Sequence, residues 1–417
     1  MTSAAKAGTL DQAATGGPPP LPVPFSTVRR SAAVSLLGDG LAVGALPLLA
    51  HDLTSSAFLI ALAAAMTRIP SVAGLWLGQL ADRNDPRRIM VLCDIVRGVM
   101  LGAFGFDLLF HRPPIAVLYL TAFALGTFST LYNAAANMTI ASLVPTLQLT
   151  KAHGQLMGLS GSLEQFVGPP VGAWLYSASR WVPFFGDSLS FFGSAVFLSR
   201  LAPMPPAPRP KRRVWVEVKE GARFVARNPV LRSATMFIAV AAFCQQSVFA
   251  IQVIYFKDLL GLSDAGFGLL LGFTAIGNVI GNLVSERVVR RFGPATALLA
   301  SALTAAASYA TLALHLGTGL VAVVFIVEAV AIGVGNVANI AIRQAATPAE
   351  LRGRVGAFAR TFVVGGAAIG SIVGGLLASH YGVRSTCAVA GIFAIAGGIA
   401  LGPALHKAVS AAKLRIA

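Results

Sequence analysis

A series of long apolar stretches, each about as long as a membrane span and nearly free of charge, most constrains what this chain can fold into. The 417 residues are 56% hydrophobic and only 12% charged, whereas a soluble protein carries about twice that share of charged residues. A bilayer is the solvent in which such stretches are stable as helices. We therefore predict an all-α membrane protein.

Charged residues and Pro-Pro or Gly-Pro pairs divide the apolar sequence into twelve segments. The predicted membrane helices cover residues 31–50, 57–81, 88–110, 114–144, 154–178, 181–201, 232–256, 265–290, 294–315, 318–344, 354–379 and 384–405. These segments predict five parts of the chain: a disordered cytoplasmic tail (1–28), a six-helix half (29–201), a cytoplasmic linker (202–231), a second six-helix half (232–407) and a C-terminal tail (408–417). Within the linker, a Pro- and Arg-rich stretch is expected to be extended and 214–228 to form a short amphipathic surface helix.

Lysine and arginine are distributed unequally over alternate loops. If both termini are cytoplasmic, twenty-six of the 32 Lys and Arg residues lie in cytoplasmic loops or tails, and four lie outside: Arg112, Arg180, Lys257 and Arg384. Cytoplasmic loops of membrane proteins are enriched in Lys and Arg, so this asymmetry predicts that the N and C termini are cytoplasmic.

The second half of the sequence repeats residues of the first at a constant offset of 203 positions. Gly78 corresponds to Gly281, and Arg87 to Arg290. Two repeats of this kind are typical of alternating-access transporters, whose substrate site lies between the repeats near the middle of the membrane.

Other classes of protein lack their sequence signatures here. The net charge of +16 is located at the ends of apolar runs, which argues against nucleic-acid binding. The three cysteines lie singly inside apolar segments, and neither HExxH nor a P-loop sequence occurs. We therefore expect no enzyme, no metal site, no cofactor and no direct use of ATP.

The charged loop after the second segment reads Gly78-Gln79-Leu80-Ala81-Asp82-Arg83, with Arg87 and Arg88 behind it. It resembles the loop between helices two and three that marks the major facilitator superfamily, and the resemblance covers residues 29 to 407. Where that loop has Gly-Arg, this chain has Asp85-Pro86, so we expect Asn84 and Asp85 to form the turn.

Further stretches are similar to the branch of the superfamily that contains macrolide-efflux proteins and the enterobactin exporter. They are Leu37-Gly38-Asp39-Gly40, Glu164-Gln165-Phe166-Val167-Gly168-Pro169, Glu220-Gly221-Ala222-Arg223-Phe224 and Leu351-Arg352-Gly353-Arg354-Val355. The resemblance implies the major facilitator fold and a multi-pass exporter in the bacterial inner membrane. Its expected partners are a hydrophobic or amphipathic small molecule (a drug, an antibiotic or a siderophore), protons in antiport and the lipid bilayer, and it is expected to be a monomer. A lipid flippase or an uptake permease on the same fold is the alternative.

Three acids inside the predicted helices are candidate coupling residues, because an ionisable group within the bilayer faces a cavity or a partner. Asp39 lies halfway along the first helix, Glu164 lies two turns inside the fifth, and Glu328 is isolated in the tenth. The structural alternatives are a helix-terminus contact or an ion pair with Arg68 for Asp39, and an ion pair with Arg97 or Arg68 for Glu164. Two further acids near the outer ends are expected to reach water and to be structural: Asp107 and Asp187.

The charged loop and the start of helix three form a predicted cytoplasmic gate. In the family that the loop resembles, the acid at Asp82 meets the positive N-terminal end of helix eleven. Asp94 and Arg97 are expected to hold the basic loop in one state. The complete gating set is Gly78, Asp82, Arg83, Arg87, Arg88, Asp94 and Arg97.

Uncharged polar side chains within the helices predict a moderately polar cavity. The candidates for its lining are Asn133, Asn137, Gln245, Gln246, Gln252, Asn336 and Asn339, with Asn278 and Asn282 as further members. Four aromatic residues are candidates for its walls: Tyr132, Phe243, Phe249 and Tyr255.

Overall fold

The structure is a computed structural model that describes residues 21–204, 214–348 and 351–411. These residues form helices joined by short turns, and no strand occurs among them. The α-helices are α1 Val23–Leu53, α2 Ala57–Val72, α3 Gly74–Asp82, α4 Pro86–Phe110, α5 Ile115–Leu143, α6 Leu149–Leu159, α7 Gly168–Ala178, α8 Val182–Ser199, α9 Val214–Arg227, α10 Pro229–Phe249, α11 Gln252–Ile254, α12 Asp264–Phe292, α13 Pro294–Leu314, α14 Thr318–Ala346, α15 Arg352–Tyr381 and α16 Val383–Ala411. A 3-10 turn at Thr146–Gln148 and π-helical segments at Ser160–Val167 and Tyr255–Leu259 complete the helical structure.

Each of the twelve predicted segments coincides with helical structure. Among the described residues, nine helices are long and apolar enough to cross a membrane, or ten when α10 and the following helical segment, bent by 42°, count as one span. Segments 57–81 and 154–178 are divided into shorter helices. Twelve spans with cytoplasmic termini therefore stay a prediction.

The second segment is broken at Ala73, where the backbone leaves the α-helical region with φ −81 and ψ 6. Pro70 lies one turn earlier, and a proline inside a helix removes an N–H donor and crowds the preceding turn. The prediction of an unbroken helix over 57–81 was wrong for this reason. At the offset of 203, Pro70 corresponds to Phe273, and α12 is unbroken there.

The fifth segment changes its helical winding in the middle. Ser160–Val167 is π-helical, and Gly168, Pro169 and Pro170 follow it. Two consecutive prolines have no N–H groups, so carbonyls of the preceding turn lose their α-helical donors. Glu164 therefore lies in a π-helical segment, and such segments are frequently found at functional sites.

The predicted ends of the helical region require two corrections. Helix α1 begins at Val23, inside the predicted tail, because Pro22 and Pro24 provide a favourable helix start. Helix α16 continues to Ala411, beyond the predicted end at 405. The remaining parts of the predicted tails, 1–20 and 412–417, and the extended linker over 205–213 lie outside the described residues.

The predicted surface helix is present as α9, and it packs on the start of α15. The Glu220 carboxylate lies 2.7 Å from an Arg354 guanidinium nitrogen. Gly221 approaches the Arg354 backbone so closely that a Cβ at Gly221 would lie 2.5 Å from the Arg354 carbonyl oxygen. Val225 is buried together with Val355. Helix α9 is thus fixed to the N-terminal end of α15.

The predicted turn before α4 is confirmed. The Asp85 side chain accepts a hydrogen bond from the Arg87 backbone N–H at 2.9 Å, and Pro86 is the first residue of the helix. Asn84 donates from its side chain to the Leu80 carbonyl oxygen at 2.8 Å. An acidic N-cap followed by proline therefore replaces the Gly-Arg of the resembled motif.

Helices α1–α8 and α10–α16 meet along two tight seams, where α2 packs on α15 and α7 packs on α12. A Cβ added at Gly375 of α15 would lie 2.5 Å from the Ala61 Cβ and 3.1 Å from the Phe58 Cα of α2. A Cβ added at Gly268 of α12 would lie 2.5 Å from the Ala173 Cβ of α7. We call the end of the bundle that carries α9 the linker end. Both seams are tight near the end opposite to it, the far end.

Gly375→Ala is expected to open the far end, because the added methyl group has no space in the seam. A reporter carries cysteines at His51 and Asp258, which face each other between the two halves at the far end, with the buried Cys93, Cys244 and Cys387 replaced. We expect the yield of cross-linking between these two cysteines by a short bifunctional thiol reagent to be several-fold lower in Gly375→Ala than without this substitution. Gly365→Ala in the same helix is the control, since a Cβ there meets nothing within 4 Å. Equal yields in both variants would contradict the tight seam.

Candidate functional site

A central cavity of ≈ 640 Å³ lies between α1, α2, α4, α5, α6, the π-helical segment Ser160–Val167 and α8. It extends from Val28 and His153, near the linker end, to Pro47 and Phe249. Apolar and aromatic walls alternate with charged side chains. A cavity of this size is large enough for a drug-sized molecule.

The far end is closed by apolar packing beyond the cavity. Leu48, Leu49 and Ala50 of α1 are fully buried there, together with Ile251 and Phe256 of the other half. At the linker end, the cavity is lined by the exposed residue His153, so the cavity opens there.

Arg97 is the centre of the charged part of the cavity, and its side chain is only 2% exposed. Its guanidinium group forms an ion pair and hydrogen bond with Asp94, and Ser194 donates to the other Asp94 oxygen at 2.6 Å. It also lies over the rings of Phe191, at 4.0 Å from the centroid, and Tyr132, at 4.8 Å. A buried arginine with a hydrogen-bonded carboxylate and aromatic faces is a strongly fixed group.

This arrangement differs from the predicted gate. Asp94 and Arg97 were expected to hold the basic loop, but their partners are in the cavity wall, where Arg97 donates to the Ser129 hydroxyl at 3.2 Å. The sequence fixes their distance from the helix start but not the direction in which they face. Asp94 is completely buried beneath Arg97, so the pair belongs to the cavity.

The structure brings Asp39 and Glu164 to the same cavity. An Asp39 oxygen lies 4.0 Å from an Arg97 nitrogen, and the Asp39 side chain is 30% exposed. The alternative partner Arg68 is not the one that Asp39 meets. Glu164 accepts a hydrogen bond from Ser160 at 2.6 Å. No described ion pair joins Glu164 to either arginine, so the pairing suggested for Glu164 is wrong in this conformation.

Asp187 contradicts the expectation that it reaches water near the outer surface. Its side chain is buried, at 1% exposed, and it lines the central cavity. A signal for this was present in the sequence: Asp187 lies in the buried stripe of α8, with Phe184 one turn before it and Phe191 one turn after. Asp107, in contrast, is partly exposed and lies 3.1 Å from His111, as expected of a residue near a helix end.

Glu328 lies in a second cavity, of ≈ 240 Å³. Its side chain is buried and lies beside the hydroxyl groups of Ser308 and Tyr309 on α13. Phe249 lines both this cavity and the central one. The three candidate coupling acids are thus divided, with Glu328 separated from Asp39 and Glu164.

The predicted polar and aromatic lining is distributed over three cavities. Asn133, Asn137, Tyr132 and Phe249 line the central cavity; Gln245, Gln252 and Asn278 line the second; Gln245 and Asn336 line a third, of ≈ 190 Å³, among α10 and α13–α16. The remaining candidates do not line any of these cavities: Gln246, Asn282, Asn339, Phe243 and Tyr255. Tyr255 is buried in the far-end core and donates to the Leu312 carbonyl oxygen at 2.9 Å.

Gln246 has a different role, as a link between the halves. With its amide oxygen turned toward α2, it accepts from Arg68 Nε at 2.6 Å and from Arg68 Nη2 at 3.2 Å. Arg68 itself lines the central cavity. This contact places a cation on the wall where the two halves meet.

A polar cluster joins the halves at the far end; its members are His51, Asp52, Tyr176, Lys257, Asp258 and Asp264. His51 Nε2 lies 2.9 Å from an Asp258 oxygen. Lys257 Nζ lies 2.5 Å from Asp264 and 3.9 Å from Asp52, whose other oxygen accepts from Tyr176 at 2.7 Å. Charge distribution in the sequence gave the loop position of Lys257 but not these contacts.

The sequence profile of the Major Facilitator Superfamily matches residues 31–327 of the chain and also residues 235–414. The chain belongs to this superfamily. The match confirms the family that the loop motif indicated, and it makes the chain a multi-pass membrane transporter with small-molecule substrates. The two overlapping matches agree with the repeat at an offset of 203.

Relatives within the superfamily include bacterial exporters. The chain is 25% identical to the enterobactin exporter EntS of Escherichia coli O1:K1 / APEC over 373 residues, which are 87% of this chain and 88% of the relative. It is also 25% identical to the EntS of Shigella boydii serotype 4 (strain Sb227) over 283 residues, 67% of each chain.

Solved structures of superfamily members share the fold. The nucleoside transporter NupG has a TM-score of 0.70 at 13% identity, covering 92% of this chain and 99% of that chain. A bacterial homologue of the iron transporter ferroportin has a TM-score of 0.68 at 15% identity in its inward-facing state, with 91% and 98% covered, and 0.63 at 14% identity in its outward-facing state, with 93% and 99% covered.

The superfamily's loop motif lies at that same end. Arg87 donates to the carbonyl oxygens of Leu198 and Ser199 at the end of α8, and Arg88 lies 3.6 Å from Asp85. Arg83 is exposed, and a Cβ at Gly78 would meet nothing within 4 Å. The Asp82 side chain lies outside the described part of the structure, so its gating role stays a prediction.

Arg97→Gln is expected to lower the free energy of unfolding by about 3–5 kcal/mol, because it leaves the Asp94 carboxylate buried without its cation. The measurement is denaturant unfolding of the purified protein in detergent. The double variant Asp94→Asn with Arg97→Gln is the matched control, since it removes both charges. We expect it to lose clearly less stability than Arg97→Gln alone; an equal loss would show that the two charges are not coupled.

Asp82→Asn is expected to slow transport about tenfold while substrate affinity is retained, because a gating residue biases a conformation without touching the substrate. Affinity and transport rate are measured with the same compound. Glu286→Gln serves as control, since Glu286 lies on α12 at the position that corresponds to Arg83 and is largely exposed. Loss of binding with normal transport would contradict a gating role.

Proposed function

We propose that this chain is a secondary active transporter that exports a hydrophobic or amphipathic small molecule by alternating access. The observation that carries the proposal is the central cavity, which is closed at the far end and has its mouth at the linker end. The predicted topology assigns the linker end to the cytoplasm, from which an exporter loads its substrate. The similarity to enterobactin exporters supports the outward direction.

Proton antiport is the proposed source of energy. Asp39, Glu164 and Glu328 are carboxyl groups inside the helical bundle, and such groups form proton relays in transporters. Asp39 is exposed to the cavity, where substrate and proton compete for the same space. We assign the protein to the bacterial inner membrane as a monomer, with drugs or antibiotics among its substrates.

The character of the cavity suggests the kind of molecule that fits. Phe249 and Tyr132 add aromatic rings to the wall, and Asn133 and Asn137 offer amide groups. Such a lining suits a bulky amphipathic compound better than a simple sugar. An uptake permease or a lipid flippase has the same fold, so the direction and the substrate are both subjects of the experiment.

The test uses purified full-length protein in proteoliposomes with an imposed pH gradient. Four tracers are compared: ethidium as an amphipathic drug, a catecholate siderophore, a lysolipid and a nucleoside. We expect the drug or the siderophore to move against the proton flow. Movement of the lysolipid alone would establish a flippase, and movement of any tracer together with protons would establish an uptake permease.

The proposed coupling acids are tested by Asp39→Asn, Glu164→Gln and Glu328→Gln in the same vesicles. Neutralising a residue that carries protons is expected to reduce gradient-driven export at least about tenfold, while exchange without a gradient continues. Asp107→Asn is the control, because Asp107 lies near the far end and is partly exposed. Full gradient-driven export in all three variants would place coupling elsewhere, and export that does not respond to the pH gradient would make the protein a uniporter.

A further inference from the structure

Asp187 is an acid in the central cavity to which the proposed coupling gives no role. Its carboxyl oxygen lies against the backbone of Gly38 on α1, where an added Cβ would collide with it. Gly38 precedes Asp39, so the two acids reach the cavity from neighbouring positions on packed helices. The absence of a side chain at residue 38 is what makes room for Asp187.

One cation serves three acids in this part of the bundle. Asp94 forms an ion pair with Arg97, and Asp39 lies 4.0 Å from the same guanidinium group. Among the described residues, no ion pair includes Asp187. If all three were ionised, the group would carry a net charge of −2 in a region of low polarity.

Asp94 and Asp187 also differ in the hydrogen bonds that their carboxyl groups accept. Asp94 is held by Arg97 and Ser194. Among the described residues, the Ser190 hydroxyl is the one side-chain donor to the Asp187 carboxyl group, at 3.2 Å, and that hydroxyl also bonds to the Asp187 carbonyl oxygen at 2.8 Å. An ionised carboxylate with one shared neutral donor and 1% exposure is strongly unfavourable, whereas a protonated carboxyl group is not.

The other charged or titratable groups around Asp187 do not remove this imbalance. They are Asp39 on α1, Asp94 and Arg97 on α4, Tyr132 on α5 and Glu164 on Ser160–Val167. The cavity wall also carries His153 and Arg68, whose guanidinium group is bonded to Gln246. Of the two arginines, Arg97 is the one beside Asp187, and Asp94 already holds it. Glu164 adds a further acid on the same cavity wall.

We propose that Asp187 is a proton-binding carboxyl group of the central cavity that exchanges its proton with cavity water through Asp39. In the step that follows, the O–H bond of the Asp187 acid breaks, its electron pair stays on the Asp187 carboxylate, and the proton passes to the Asp39 carboxylate, which releases it to cavity water. The transfer to Asp39 leaves the net charge of Asp39, Asp94, Arg97 and Asp187 unchanged, so Arg97 keeps its ion pair with Asp94. Rebinding a proton reverses each of these changes. This inference rests on the proposed proton antiport, to which it adds a residue.

Infrared spectroscopy tests proton binding directly and needs no substrate. Full-length protein in lipid nanodiscs is titrated from acid to alkaline pH, and the C=O stretch of protonated carboxyl groups is recorded. We expect the band of protonated carboxyl groups to persist at neutral pH. Asp187→Asn is expected to reduce the area of this band by the contribution of about one carboxyl group. Asp107→Asn is expected to leave it unchanged. An unchanged band in Asp187→Asn would overturn the proposal.

A second variant keeps the test decisive if Asp187→Asn does not fold. Ser190→Ala removes the side-chain hydrogen bond to Asp187 without changing the charge. We expect it to shift the frequency of the same band and to preserve its area. A band that neither shifts nor changes in this variant would also overturn the proposal.

Transport separates this inference from the proposed function. In proteoliposomes with ethidium as the tracer, Asp187→Asn is expected to lose gradient-driven transport about tenfold or more and to keep exchange without a gradient. Normal gradient-driven transport in this variant would refute the inference and leave the proposed antiport intact. If the wild type transports nothing against a pH gradient while the infrared band depends on Asp187, proton binding stands and the proposed antiport fails.

Discussion

The buried ion pair of Arg97 with Asp94 is the interaction on which the first half of the molecule depends. A guanidinium group with 2% exposure must be compensated where it lies. Asp94 and Ser194 supply that compensation, and the rings of Phe191 and Tyr132 cover its faces. Four helices meet at this one side chain. The positive charge of Arg97 therefore makes the cavity polar and also holds these four helices of its wall in position.

Close backbone contacts are the second constraint, and they determine where the two halves can separate. Gly375 and Gly268 bring α15 and α12 into direct contact with the other half near the far end. At the linker end, the helix α9 covers the start of α15 through Glu220 and Gly221. Tight packing at one end and a polar cavity that reaches the other are the arrangement expected of a carrier that is open to one side of the membrane.

Much of the fold followed from hydrophobicity and local chemistry. Apolar runs located the helices, and Asn84, Asp85 and Pro86 formed the expected turn. Sequence gives the depth of a charged residue along its helix, but the direction in which it faces depends on the neighbouring helices. Asp187 was misplaced for that reason, and so was the partner of Asp94 and Arg97. The helix break at Ala73 followed from Pro70, which was visible in the sequence but whose effect depends on packing.

That break makes the two halves mechanically unequal. The piece before Ala73 is held in the seam with α15, whereas α3 beyond it carries the charged loop and contacts α5 and α9. Helix α12, in the corresponding place of the second half, is a single rigid rod of 29 residues. The span formed by α2 and α3 thus has a break that α12 lacks. Movement of the charged loop at the linker end therefore need not disturb the seam that α2 forms with α15.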